Sequence, residues 1–165
     1  MANEDGFDAQ IAATLAFEGG YVDDPDDAGG ETNFGISKAS YPNVDIANLT
    51  VDEAKAIYFR DYWLKPGLTY LPPAVGAKVF DLGVNMGPRA AIKLLQASLN
   101  ALGADPELAE DGRVGVRTTV AAQGFRPDAV LGELRAQAAQ HYRNIALLHP
   151  AMAKFLRGWL RRAEA

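Results

Sequence analysis

Glu18 is followed by Gly19-Gly20, then by Asp23, Asp24, Asp26 and Asp27, and then by Thr32. Cleavage of a glycosidic bond needs two carboxyl groups in different environments. One stays protonated and gives its proton to the leaving oxygen; the other stays ionised across the scissile bond, where it activates water or stabilises positive charge on the sugar. Glu18 suits the first role. Phe7, Ile11, Leu15 and Glu18 fall in a narrow arc at 100° per residue, so the carboxyl continues an apolar helical stripe. Gly19-Gly20 stops that helix, which puts Glu18 at the end where the macrodipole disfavours negative charge, beside several further carboxylates. All three circumstances favour the neutral acid.

Asp27 lies nine positions beyond Glu18, on a glycine-flanked loop able to fold back toward it. Thr32, five further on, carries a hydroxyl able to orient a water. Asp23, Asp24 and Asp26 compete for the ionised role, and each also reads as a solvated turn residue or cap. A calcium loop fails on register: starting at Asp24, Ala28 occupies the fifth position and Gly35 the twelfth, where a bidentate glutamate is needed. With no cysteine, neither a thiolate metal site nor a disulfide framework can be built. His141 and His149 sit eight apart with no acidic partner at ligand spacing. Neither a metal nor a cofactor is expected.

The elements that must position these groups are mostly helical. A first helix ends at Gly19-Gly20, and residues 21–37 favour turns and short strands, with "TNFGI" as a short strand of a small hairpin lobe. Thr50 and Glu53 form a T-x-x-E capping box that opens a helix through about Leu64, closed by Pro66. Pro72-Pro73 start another that ends near Gly87-Pro88. "PRAAIKLLQASLNALG" repeats its apolar residues at Ile92, Leu95, Leu99 and Leu102, with Gly103 as its stop. A helix after "DGRVGVRTT", one over about 127–148 and one over about 150–162 complete the chain. The expected fold class is mainly α (α+β), with one small β-hairpin lobe.

At 165 residues, 48% hydrophobic and 22% charged, the chain can bury a proper core. Its net charge of −5 hides an asymmetry: residues 1–61 carry 13 Asp/Glu against 3 Lys/Arg, and residues 62–165 carry 8 against 13. No basic cluster is interleaved with aromatics, which argues against nucleic acid as a partner. The basic second half suits an acidic polymer such as cell-wall material. The N-terminus lacks the positive charge of a secretory signal, and no uncharged run reaches membrane-spanning length. The expectation is synthesis in the cytoplasm and release by another system.

"EGGYVDDPDDAGGETNFGIS", with "LTVDEAKAIYFRDYW" and "FDLGVNMGPRAAIKLLQ" downstream, resembles glycoside hydrolase family 108, the N-acetylmuramidases of phage endolysins and related secretion-associated enzymes. The resemblance implies a lysozyme-like fold that cuts the β-1,4 bond between N-acetylmuramic acid and N-acetylglucosamine, with Glu18 as catalytic acid. By similarity to phage-type lysozymes, whose Glu, Asp and Thr come in this order, it implies Asp27 and Thr32 as the water-handling pair. The family often has Pro where this chain has Ala28.

"DGRVGVRTT" resembles the D-G-x-x-G-x-x-T turn of peptidoglycan-binding modules, although Gly112 and Gly115 equally suit a tight turn before a helix. The implied organisation is a lysozyme-like catalytic region over 1–90 and a helical predicted peptidoglycan-binding region over 91–165, packed as one compact monomer. Tyr62 and Trp63 are candidates to pack against sugar rings, with a core role as the competing reading. Asn85 in "VNMGPR" resembles a family position able to reach substrate from a helix end. The expected partners are peptidoglycan glycan strands and, for export, a holin or a secretion system. A non-catalytic wall-binding module and a structural, secretion-associated protein remain the alternatives.

Overall fold

The structure, a computed structural model, describes residues 4–24 and 29–165. Helix α1 spans Asp5–Glu18, with Asp5 and Asp8 complementing the dipole at its start. Its buried face is Phe7, Ile11, Thr14 and Leu15, and Gly19 ends it at φ 77°. Glu18 therefore leaves the helix on the arc of the apolar stripe, as the periodicity requires.

The β lobe is a small hairpin, as expected, but one built more tightly than the sequence predicts. "TNFGI" forms a complete hairpin rather than one strand. β1 (Thr32–Asn33) pairs antiparallel with β2 (Ile36–Ser37) across a two-residue turn, in which Phe34 and Gly35 have φ of 52° and 76°. Two positive φ values in succession make a primed turn, whose twist matches that of the strands. Val22 adds a third run by bridging Thr32 on the outer side. Asn33 and Ile36 point inward, and the Asn33 amide donates to the Ile46 carbonyl at 3.1 Å.

Helix α2 (Val51–Tyr58) opens on Thr50, and both halves of the capping box with Glu53 are present. The expected continuation to Leu64 is a π-helix over Phe59–Leu64, marked by the Lys65 amide reaching the Arg60 carbonyl at 3.0 Å. The wider turn lets "FRDYWL" place Phe59 against Phe7 of α1 and Trp63 against both Phe7 and Phe80 of the next helix, while Tyr62 stays on Tyr58. α3 (Pro73–Met86) runs through the middle of the molecule and packs against α1, α4 (Pro88–Ala101) and α6 (Pro127–Leu148). α5 (Val116–Gly124) precedes α6. A 3-10 turn over Pro150–Phe155 leads into α7 (Leu156–Glu164), which lies along α6 with Trp159 stacked on Tyr142 at 5.3 Å.

One hydrophobic core runs from Phe7 through Trp63, Phe80, Leu95 and Leu134 to Ala163, so both halves of the chain share it. The architecture is mainly α with a two-stranded sheet, as expected of a lysozyme-like fold. Among the described residues no helix is long and apolar enough to cross a membrane.

Candidate active site

The Glu18 side chain is 23% exposed and lies between the hairpin turn, the α2 aromatics and α7. A Cβ placed on Gly35 would meet Glu18 Oε2 at 2.9 Å, Glu18 Cβ at 3.1 Å and Tyr58 Oη at 2.7 Å. Only glycine fits there, and its positive φ adds a second reason. Phe34, beside it, is a non-glycine residue in the left-handed region, which costs about 1–2 kcal/mol. Its carbonyl accepts from the Tyr58 hydroxyl at 2.8 Å, and that bond helps to offset the cost. Tyr58 thus holds the turn while its ring seals the floor beneath Glu18.

Tyr62 is half-buried, with its ring 5.2 Å from that of Tyr58. Burial, then the charge of Glu18, raises the Tyr58 hydroxyl well above its ordinary value. Burial, then Asp61, then Glu18 raises that of Tyr62. Both phenols therefore stay neutral beside the Glu18 carboxyl; Tyr58 is buried and spent on the turn, and half-buried Tyr62 is the one with surface left for a sugar.

Thr32 is pinned through its backbone, with both its N–H and its C=O paired to Val22 at 2.8 Å. Among the described residues its hydroxyl has one partner, the Gly30 carbonyl at a marginal 3.5 Å, so it is available to another donor or acceptor. Asp27 lies outside the described residues, as do Asp26 and Ala28.

Two expected sugar contacts are reassigned in part. Trp63 is 1% exposed and wedged between α1 and α3, where Cβ atoms on Gly6 and Gly76 would come within 2.8 and 2.9 Å of its ring. It packs on Phe7 and Phe80 at centroid distances of 5.9 and 6.1 Å. The π turn directs it into the core, so it has no face left for a sugar. Asn85 is exposed near the end of α3, but its Oδ1 already accepts from the Tyr142 hydroxyl at 2.7 Å, a bond joining α3 to α6.

The "DGR" turn is likewise turned inward. Gln96 Nε2 donates to Asp111 Oδ1 at 2.9 Å and to the Arg113 carbonyl at 3.0 Å, and Gln96 Oε1 accepts from the Gly112 amide at 2.9 Å. Thr118 donates to the Arg113 carbonyl, and Gly112, at φ 75°, lies against Arg89. Asp111 is held below the usual carboxylate range, first by its bond from Gln96. These motif residues hold the turn to α4.

The local sequence around Glu18, from Phe17 to Ser37, offers carboxylates and hydroxyls but no cation; the fold adds one. Arg162 of α7 brings Nη2 to 3.5 Å from Glu18 Oε1 and Nε to 3.2 Å from Asp81 Oδ1, while its guanidinium lies 4.8 Å from the Phe17 ring centroid. Nothing local announces this contact, which spans 144 positions. A groove of about 720 Å³ runs behind it, along Phe17, Lys78, Asp81, Leu131, Arg135 and Arg162. Glu18 does not line that groove. Among the described residues no three His, Cys, Asp or Glu side chains are grouped to hold a metal ion.

Residues 11–87 match the family model described as Glycosyl hydrolase 108, and residues 90–164 match that of the Predicted Peptidoglycan domain. The two matches meet where α3 passes into α4. The chain thus joins a region that matches glycosyl hydrolase 108 to a C-terminal region that matches the peptidoglycan domain, and the pair supports a peptidoglycan-related hydrolase family. A solved structure described as that of Brucella abortus SagA is similar to it over 95% of this chain and 88% of that one, at 28% identity and a TM-score of 0.77. Comparison with curated proteins gives no match.

Proposed function

We propose that this protein is an N-acetylmuramidase, hydrolysing the β-1,4 bond between N-acetylmuramic acid and N-acetylglucosamine in peptidoglycan. The observation that carries the reading is Glu18 itself. It is a part-buried carboxyl at the end of an apolar helix stripe, closed over by a glycine turn that leaves it room, within a glycosyl hydrolase 108 match. In this reading Glu18 gives its proton to the leaving oxygen, and Tyr62 lines the sugar's path.

Asp27 is the ionised partner by its place in the sequence, and with Thr32 it positions the attacking water. A short carboxylate working with a hydroxyl suits water positioning better than direct attack, so the anomeric configuration inverts. The enzyme then acts as a monomer on the cell wall, after release by a holin or a secretion system.

Mass spectrometry of digested peptidoglycan tests the bond assignment. Fragments with N-acetylmuramic acid at the reducing end support it. Reducing-end N-acetylglucosamine, 1,6-anhydro ends or cut peptide stems each replace it with another activity. Early-time NMR tests the stereochemistry: a β-anomer as first product would rule out inversion while leaving Glu18 as the acid.

A further inference from the structure

We propose that Arg162, on the last helix of the peptidoglycan-domain region, is a positioning residue for the Glu18 carboxyl, so that this region completes the catalytic centre as well as sharing its core. The inference rests on Glu18 being the acid. Arg162 is 11% exposed, too covered to grip a glycan strand directly, and its contacts converge inward. Nη2 faces Glu18 Oε1 at 3.5 Å, Nε faces Asp81 Oδ1 at 3.2 Å, and the planar group lies over Phe17.

Its backbone is also tied down. The Arg162 carbonyl accepts from Lys78 Nζ at 2.6 Å, and Lys78 stands 3.9 Å from Asp81, which in turn accepts from Gln10 at 3.4 Å. Arg162 is therefore located by α3 before it touches Glu18. A rigid planar fork of donors can serve two carboxylates at once, which a lysine ammonium on a flexible stem does poorly.

The geometry divides the two oxygens of Glu18. Oε1 faces the guanidinium, and Oε2 faces Gly35 and the hairpin. Oε2, the oxygen turned away from the guanidinium, is the one assigned to serve the leaving oxygen, and the anion that forms after proton transfer already has a cation fixed at Oε1. No bond to Arg162 forms or breaks. Its contribution is orientation and a fixed charge in the transition state, which appears in kcat and not in substrate binding.

The test is steady-state kinetics on soluble peptidoglycan fragments for Arg162→Met and Arg162→Lys, with unfolding curves for each and Glu18→Gln measured in parallel. The expected result is a loss of about 10- to 100-fold in kcat for Arg162→Met with KM within about twofold of wild type, partly restored in Arg162→Lys. Wild-type kcat in a folded Arg162→Met protein, beside an inactive Glu18→Gln, overturns the proposal and leaves the acid assignment standing. An active Glu18→Gln overturns both. Should Arg162→Met fail to fold, Arg162→Lys decides alone: lower kcat at unchanged KM and unfolding midpoint supports positioning, and wild-type kcat refutes it.

Discussion

A Cβ on Gly35 would stand 2.9 Å from the Oε2 atom of Glu18, so the hairpin turn lies directly on the carboxyl proposed to do the chemistry. Turn, acid and the Tyr58 hydroxyl fill one small volume. Movement of any one displaces the others.

Gly35→Ala tests that coupling. The added methyl needs a left-handed backbone costing about 1–2 kcal/mol and must push the turn away from Glu18 and Tyr58. Thermal unfolding should fall by only that much, while sugar release drops on the order of 100-fold because the acid is misplaced. Full activity in Gly35→Ala would show that the turn does not shape the site.

Tyr62 and Trp63 are neighbours in sequence with separate fates. Trp63→Ala should cost about 3–5 kcal/mol, since it empties a ring-sized space between α1 and α3. Tyr62→Ala should keep the fold and raise KM for glycan several-fold. Denaturant unfolding and steady-state kinetics on both variants check this. The reverse pattern would return the sugar contact to Trp63.

Gln96 is the hinge of the C-terminal turn. Gln96→Leu leaves the Gly112 amide buried and unpaired and takes one donor from the Arg113 carbonyl, which keeps Thr118 and Gly115, at a cost of about 1–3 kcal/mol in stability. Urea unfolding measures it. A variant as stable as wild type would mean that the network contributes nothing net.

Tyr142 gives an alkaline signature. Burial pushes its hydroxyl from the ordinary 10 up to about 12, and burial raises Tyr58 in the same direction. Unfolding returns each to its ordinary value, so the folded state keeps protons that the unfolded chain has shed. Their support is complete below pH 10 and is lost as pH rises toward 12. The urea midpoint should decline across that window, and less steeply in Tyr142→Phe. A midpoint flat from pH 10 to 12 would contradict it.

What could be read from sequence was what local chemistry decides. The Thr50–Glu53 box, the Gly19 stop and the Pro73 and Pro88 helix starts are each settled within four residues of themselves. "TNFGI" was harder, because a primed turn with Phe34 at its first position contradicts the residue's own preference and depends on a hydroxyl 24 positions away. The π turn at Phe59–Leu64 follows from aromatic packing against other helices, and the helical period cannot express it. Arg162 could not be singled out at all: the last helix offers three arginines, and only tertiary packing chooses which one meets Glu18. The D-G-x-x-G-x-x-T run was legible as a turn, but its inward wiring through Gln96 depends on α4 passing beneath it.

The central claim, that Glu18 is the acid of a glycan hydrolase, is tested most directly by the rate of reducing-sugar release from peptidoglycan by Glu18→Gln. The amide keeps the size and leaves an oxygen for Arg162 but has no acidic proton to give. A folded variant should be slower by on the order of 100-fold or more. Near-wild-type release by a folded Glu18→Gln protein would contradict the account.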